Sequence, residues 1–209
     1  MPLKIAIFGA SGYTGAEAIR IALGHPNVEI VALTGESKAG KSIGEVYPHL
    51  TGFGLPSLVR IEDVSLAGLD AVFLCLPHAT TQKVAKTLRR AAPDLRLIDL
   101  SADFRLRDVA AYEDWYGEHF APDLQPDAAY GLTEHYRDDI KDAPIIACPG
   151  CYPTSILVPL LALQNAGMID PHRIIADSKT GTTGAGRKAS EGLSHSEVSE
   201  GFHAYGVAS

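Results

Sequence analysis

The chain has 209 residues, 46% of them hydrophobic, with 18 basic against 25 acidic side chains and a formal charge of −7; this is enough apolar material to bury a core. The charges are spread without a basic stripe or an aromatic-basic interleave, which argues against nucleic acid as a partner. No apolar run approaches the roughly 18 residues that cross a bilayer, and the start lacks the layout of a signal peptide, so a soluble, cytoplasmic protein is expected.

Leu3 to Phe8 is a short apolar run that ends in Gly9-Ala-Ser-Gly-Tyr-Thr-Gly15, which reads as a buried strand entering a tight turn. Ala16, Ile19 and Leu23 then recur at helical spacing until Gly24 and Pro26 stop the helix. Val28 to Thr34 is the next strand, completing a strand-helix-strand crossover of the kind a parallel sheet requires. The pattern repeats with a strand at Ala71 to Cys75, a helix near Thr80 to Ala91 and strands at Leu97 to Leu100 and Pro144 to Ala147. Ser101 to Asp142, rich in polar, aromatic and proline residues, is expected to form loops and short helices over the sheet edge. From Thr154 a helix carries Ile156, Leu160, Leu161 and Leu163, and a further strand is expected at Arg173 to Asp177. The tail from Gly181 onward is small, polar and rich in glycine and serine. The expected fold is α/β: a Rossmann-like dinucleotide-binding domain with a mostly parallel sheet over residues 1–148, then an incomplete α+β domain over 149–209, too short to bury a core by itself.

Two stretches carry chemistry. A strand feeding a helix through close glycines lets backbone N–H groups approach a pyrophosphate at the helix N-terminus. Gly9, Gly12 and Gly15 are spaced GxxGxxG, so the loop either binds phosphate or is merely a tight strand-to-helix turn. At the end of the second strand Glu36 stands where an acidic residue would hold the ribose hydroxyls of NAD, while Ser37 and Lys38 suit a 2′-phosphate. The second stretch is Ala147-Cys-Pro-Gly-Cys-Tyr-Pro-Thr-Ser155. Cys151, after a strand and before a helix, is placed where the helix dipole favours a thiolate, and full activation calls for a neighbouring base. Cys148-x-x-Cys151 also has the spacing of a thiol-disulfide exchange site, but it follows 147 residues of nucleotide-fold pattern instead of a first strand. Cys148 is either a buried filler facing away or a thiol able to resolve an oxidised Cys151. Three cysteines, with no histidines gathered near them, argue against zinc and against a disulfide framework.

Taken in order, GASGYTGAE from Gly9, LTGESKAGKS from Leu33, VYPHL from Val46, LCLPHATTQ from Leu74, IDLSADFRL from Ile98, YGLTEHYR from Tyr130, PGCYPTS from Pro149 and DSKTGTTGAGRKA from Asp177 resemble the N-acetyl-gamma-glutamyl-phosphate reductases. These are arginine-biosynthesis relatives of aspartate-semialdehyde dehydrogenase. The resemblance implies NADP as cofactor, an acyl phosphate as substrate, a cysteinyl thioester as intermediate, and homo-oligomers formed through the second domain. It puts Cys151 on the family's nucleophile and Gly9, Ser11, Gly12, Tyr13, Thr14 and Gly15 on its phosphate loop. Ser37 and Lys38 fall at the 2′-phosphate, and Gly184 and Gly186 at the nicotinamide end. Arg105 is a candidate clamp for a substrate carboxylate or phosphate, or else a surface or interface ion pair. Two departures stand out. Cys148 replaces a frequent asparagine, and the family's His-Arg-His-x-Pro-Glu segment, which carries its base, is expected directly after Ser209, with His195 and His203 poor substitutes. On that reading the 209 residues alone are expected to be inactive. The rival readings are a reductase of a longer lysine-pathway acyl phosphate and a catalytically silent NADP-binding fragment.

Overall fold

Side chains alternate across a strand, and in β1 (Leu3–Phe8) this sends Ile5 and Ile7 to one face and Ala6 and Phe8 to the other, with all four buried. A strand apolar on both faces has to lie inside a sheet covered on both sides. The structure, a computed structural model, describes residues 1–201 and 203–205. After β1 come α1 (Tyr13–Leu23), β2 (Val28–Thr34), α2 (Ile43–Val46), β3 (Leu58–Val59), β4 (Ala71–Leu74), α3 (Thr80–Ala91) and β5 (Arg96–Asp99). They are followed by α4 (Val109–Tyr116), β6 (Ala128–Tyr130), α5 (Thr133–Asp142), β7 (Ile145–Ala147), α6 (Cys151–Asn165) and α7 (His195–Val198).

The strands make one seven-stranded sheet in the order β3-β2-β1-β4-β5-β7-β6, and every pairing is parallel. Ala16 and Ile19 of α1 pack with Ile5, Ile7, Leu33 and Leu58 on one face. Ala85 and Leu88 of α3 pack with Phe8, Val72, Leu74, Leu97 and Ile145 on the other. The chain winds from β1 outward to β3, then returns to lay β4 on the opposite side of β1, so the order reverses between β1 and β4. In an open parallel sheet that reversal leaves a crevice at the carboxyl ends of the strands, where ligands bind. The register aligns Phe8 with Leu74, Leu74 with Asp99 and Asp99 with Ala147. The residues that follow these four therefore leave the sheet along one edge.

The α/β class and parallel sheet expected from the sequence are what the chain forms, with three differences. The region 101–142 holds a strand, β6, as well as helices, and β3 is a strand of two residues. The helix expected from Thr154 starts at Cys151, because Gly150 takes the N-cap position with an extended backbone and Pro153 falls in the first turn, where proline lacks no needed N–H. The strand expected at Arg173 to Asp177 does not form. Ile174 is 45% and Ile175 98% exposed, and among the described residues beyond 148 no other strand exists to take up the backbone hydrogen bonds that a strand needs. Residues 206–209 of the second expected domain lie outside the described residues.

Candidate functional site

Because all the strands are parallel, the glycine loop after β1, Ser37 and Lys38 after β2, His78 after β4, Arg105 beyond β5 and Cys151 beyond β7 all leave by the same edge. From β1 to β7 there are three inter-strand steps, about 14 Å in all.

In the loop the three glycines have different tasks. Gly9 has φ +82°, and a Cβ added there would lie 2.2 Å from the carbonyl oxygen of Cys75. One added at Gly15 would lie 2.5 Å from the Gly9 oxygen and 2.6 Å from the Ala10 Cα, so Gly9 and Gly15 let β1, β4 and α1 approach. At Gly12 an added Cβ meets only the Gly9 oxygen, at an ordinary 3.5 Å, and otherwise points into open space. Gly12 caps α1 without any side-chain hydrogen bond. The N–H groups of Tyr13, Thr14 and Gly15 find no acceptor among the described residues. Three unpaired donors at the positive end of an 11-residue helix make an anion site.

The loop is braced from several sides. Gly9 N–H donates to Thr34 Oγ1 (3.0 Å) and Ala10 N–H to the Thr34 carbonyl (2.8 Å). Ser42 and Glu45 form a capping box, with Ser42 N–H donating to Glu45 Oε2 (2.7 Å) and Glu45 N–H to Ser42 Oγ (3.3 Å). That box fixes the single turn of α2 and aims Tyr47, whose hydroxyl donates to the Ser11 carbonyl (2.9 Å). Burial pushes the Tyr47 phenol up, partly opposed by the guanidinium of Arg187, so it stays a donor. Arg187 itself donates from Nη1 to the same Ser11 carbonyl (3.1 Å) and lies 4.8 Å above the Tyr47 ring. Beyond β2, one oxygen of Glu36 accepts from Ile61 N–H (3.0 Å), which commits it to holding β3's far end. Ser37 is exposed and Lys38 half-buried on the same short turn, leaving a hydroxyl and an ammonium at that corner.

Around the second stretch, Arg105 spans the ends of β5 and β7. It donates from Nε to the Cys148 carbonyl (2.7 Å) and from Nη2 to the Leu100 carbonyl (2.9 Å). Its Nη1 would sit 3.2 Å from a Cβ built on Gly150, so a side chain at 150 would crowd the guanidinium. Cys148 N–H donates to the Asp99 carbonyl (2.8 Å), and Thr154 ties its N–H and Oγ1 to the Gly150 carbonyl (2.9 and 2.8 Å). The Pro149-Gly150 turn is thus held rigidly, and Cys151 emerges as the first helical residue. All three cysteines are free thiols, and Cys151 is the exposed one. Burial pushes Cys75 up to about 12 and Cys148 up to about 11, with the Asp99 carboxyl adding to both, so these two stay protonated and unreactive at neutral pH. Cys148 lies among Cys75, Asp99 and Arg105 as a half-buried thiol. No histidine hydrogen-bonds to Cys151 among the described residues. Gly184 lies within, and Gly186 directly after, the short turn Thr182–Ala185 that delivers Arg187 to the glycine loop, and both are exposed.

Sequence reasoning passed over the acidic residues of the Ile98 to Leu106 stretch, which look like a polar loop and are buried. Asp99 accepts from the N–H (2.8 Å) and hydroxyl (3.0 Å) of Ser101. Asp103 accepts from Ala79 N–H (2.9 Å), Gln82 N–H (3.1 Å) and the Tyr112 hydroxyl (2.9 Å). It thereby caps α3 from 21 residues away along the chain, and helps to hold Ala79 at φ 63°, a conformation that costs a non-glycine residue about 1–2 kcal/mol. Ala102 N–H donates to His78 Nδ1 (2.9 Å), which puts the ring proton on Nε2 and joins the β4 and β5 loops. The alternation Asp-x-Ser-x-Asp directly after an apolar strand was the available signal, since such side chains bond readily to nearby backbone.

Asp99 carries a pH consequence. Burial raises its carboxyl to about 7 against the hydrogen bonds from Ser101. An acid whose pKa rises on folding costs nothing below its unfolded value near 4, and costs progressively more as pH climbs through 7. Measured by urea unfolding between pH 4 and 8, wild type should lose stability relative to Asp99→Asn as pH rises, by at most about 1.4 kcal/mol per unit, and the difference should level off above pH 7. A difference that did not vary with pH would show that Asp99 keeps an ordinary pKa.

Residues 4–143 match the family model described as semialdehyde dehydrogenase, NAD binding domain, and residues 151–209 that described as semialdehyde dehydrogenase, dimerisation domain. The chain is 56% identical over 207 residues to an N-acetyl-gamma-glutamyl-phosphate reductase of Afipia carboxidovorans, covering 98% of this chain and 59% of that protein. It is 54% identical over 208 residues to one of a Jannaschia species, covering 99% and 60%. It is 50% identical over 206 residues to a probable chloroplastic one of Oryza sativa, covering 98% and 49%. The chain therefore spans about half to three-fifths of the length of these relatives. Among solved structures, aspartate semialdehyde dehydrogenase II of Vibrio cholerae, complexed with ASA, superposes with a TM-score of 0.58 at 18% identity, covering 79% of this chain and 43% of that one. The Candida albicans aspartate semialdehyde dehydrogenase with NADP gives 0.53 at 18%, covering 81% and 48%. At these identities the likeness is one of fold.

Proposed function

Since this chain belongs to the semialdehyde dehydrogenase family, we propose that it serves the NADPH-dependent reduction of N-acetyl-L-glutamyl 5-phosphate to N-acetyl-L-glutamate 5-semialdehyde, with release of phosphate. The observation that carries this reading is the exposed Cys151 thiol at the first position of a 15-residue helix, on the same sheet edge as a glycine loop with three unpaired N–H donors. The identities of 50–56% to reductases of that name support the choice of substrate.

The donors at this sheet edge fit NADP. Tyr13, Thr14 and Gly15 offer N–H groups to the pyrophosphate, with Gly9, Ser11 and Gly12 shaping its seat. Ser37 and Lys38 offer a hydroxyl and a cation to the 2′-phosphate, while Glu36 is held off by Ile61 N–H. Gly184 and Gly186 supply backbone at the far end. When bound, the reduced nicotinamide supplies hydride. The Cys151 sulfur, as thiolate, attacks the carbonyl carbon of the acyl phosphate, the carbon–oxygen bond to phosphate breaks, and the acyl group is held as a thioester. Arg105, with two of its donors fixed on backbone carbonyls, presents the remaining edge of its guanidinium beside Gly150, where it suits the departing phosphate. After reduction the carbon–sulfur bond breaks, releasing the semialdehyde and regenerating the thiolate.

Residues 1–148 are taken as the cofactor-binding domain and 149–209 as part of the catalytic and dimerisation domain. α6 is apolar on all sides yet has no buried residue, and Met168, Ile174 and Ile175 are exposed. A helix apolar all round belongs inside a larger assembly, which supports a homo-oligomer built through this region. No described helix is long and apolar enough to cross a membrane, and three free thiols suit a reducing compartment such as the cytoplasm. The test is the reverse reaction in the full-length protein: NADP reduction with N-acetylglutamate semialdehyde should require inorganic phosphate. Turnover that preferred the semialdehyde of a longer, lysine-pathway acid would reassign the substrate.

A further inference from the structure

The glycine loop offers backbone N–H groups and hydroxyls but no full positive charge: residues 9–15 hold no cationic side chain, although a dinucleotide's pyrophosphate brings two negative charges to a chain whose own net charge is −7. Backbone N–H donors can hydrogen-bond a phosphate oxygen, but beyond the partial charge of the helix end they do not neutralise it. The fold places one cation at this spot, and it comes from 176 residues away. Arg187 donates from Nη1 to the Ser11 carbonyl (3.1 Å) while its guanidinium lies 4.8 Å above the Tyr47 ring. The Tyr47 hydroxyl reaches the same carbonyl (2.9 Å). Both groups thus converge on the residue directly before Gly12, where an added Cβ would meet open space. Arg187 is exposed and makes no ion pair with any carboxylate among the described residues. A guanidinium has five N–H donors, of which one is occupied here. Stacking on an aromatic ring fixes its plane and leaves the others directed outward.

Resting on the cofactor reading above, we propose that Arg187 is a cofactor-binding residue, supplying the positive charge for the dinucleotide's pyrophosphate that the glycine loop itself lacks. This distinguishes it from Lys38, which on the cofactor reading would hold the 2′-phosphate. The position also has a mechanical consequence. Arg187 follows Gly186 directly, so the contact draws the Gly181 to Gly186 turn against the phosphate loop, and binding of the dinucleotide fixes both.

The test uses full-length protein and equilibrium dissociation constants for NADPH and NADH, read by nucleotide fluorescence, with thermal unfolding as the control for folding. Arg187→Met should weaken both nucleotides by a similar factor, about tenfold, and the loss should shrink at high salt. Arg187→Lys should keep part of the affinity, because it keeps charge but not the planar fork. Lys38→Met should weaken NADPH and leave NADH unchanged. Unaltered binding of both nucleotides by Arg187→Met, or a loss confined to NADPH, would overturn the proposal. A wild-type protein that bound neither would overturn the cofactor reading and this inference with it.

Discussion

Replacing Cys151 with alanine should lower turnover by on the order of 10⁴ to 10⁶, the range seen when a covalent nucleophile is removed, while NADPH binds as tightly as before. The reasoning is positional. Cys151 is the first residue of α6, exposed and beyond the end of β7, whereas the phosphate loop follows β1, about 14 Å away across the sheet. The thiol serves no packing role whose loss would disturb the fold, and Arg105 holds the preceding turn through backbone carbonyls that the substitution leaves in place. Cys148→Ser should act oppositely. That thiol is packed and protonated, so turnover should persist while stability falls. Steady-state rates and nucleotide titrations on both variants check this. Turnover surviving in Cys151→Ala would mean that the reaction does not pass through a thioester on this residue.

The second large effect concerns the glycines, and it separates two that look alike in sequence. Gly9→Ala places a Cβ 2.2 Å from the Cys75 carbonyl oxygen at a φ of +82°. The left-handed backbone alone costs about 1–2 kcal/mol, and relieving the clash means prising β1 from β4, for a total on the order of 4 kcal/mol, a large share of a domain's stability. Folded protein should be scarce and its unfolding midpoint low. Gly12→Ala has an ordinary φ of −87° and no close neighbour, so its unfolding midpoint should barely move. NADPH affinity should nevertheless fall, because the new methyl occupies the open space at the start of α1 where the pyrophosphate is proposed to sit. Equal thermal stabilities for the two variants would contradict this division of roles, as would full affinity in Gly12→Ala.

How much of this was legible in the sequence depended on how far each signal reaches along the chain. β1, β2, β4, β5 and β7 are short apolar runs bounded by turn residues, and their bounds were read to within about one residue. β3, with two residues, is too short to show any alternation, and β6, Ala-Ala-Tyr, lacks the β-branched residues that mark β7 and exists because β7 offers it an edge. Arg173 to Asp177 had the composition of a strand but no partner to pair with. The glycine spacing marked the loop, yet it could not tell Gly12 from Gly9, since that difference lies in the Cys75 carbonyl brought in by β4. Tyr47 and Arg187 reach Ser11 across 36 and 176 residues, a distance over which no local pattern operates. Nothing in the sequence marked Asp99 and Asp103 as buried, since acidic residues usually face solvent, and it is the backbone and hydroxyl donors of neighbouring loops that make their burial tolerable.

If the acyl group passes through Cys151, mass spectrometry should catch it there as a covalent intermediate. Full-length protein is given N-acetylglutamate semialdehyde and NADP with phosphate withheld, so that the thioester has no phosphate to accept its acyl group. One N-acetylglutamyl adduct per chain is expected, mapped to the peptide containing Cys151, discharged by added phosphate and absent from Cys151→Ala. NADP reduced at the wild-type rate without any adduct, or an adduct on Cys75 or Cys148 instead, would contradict it.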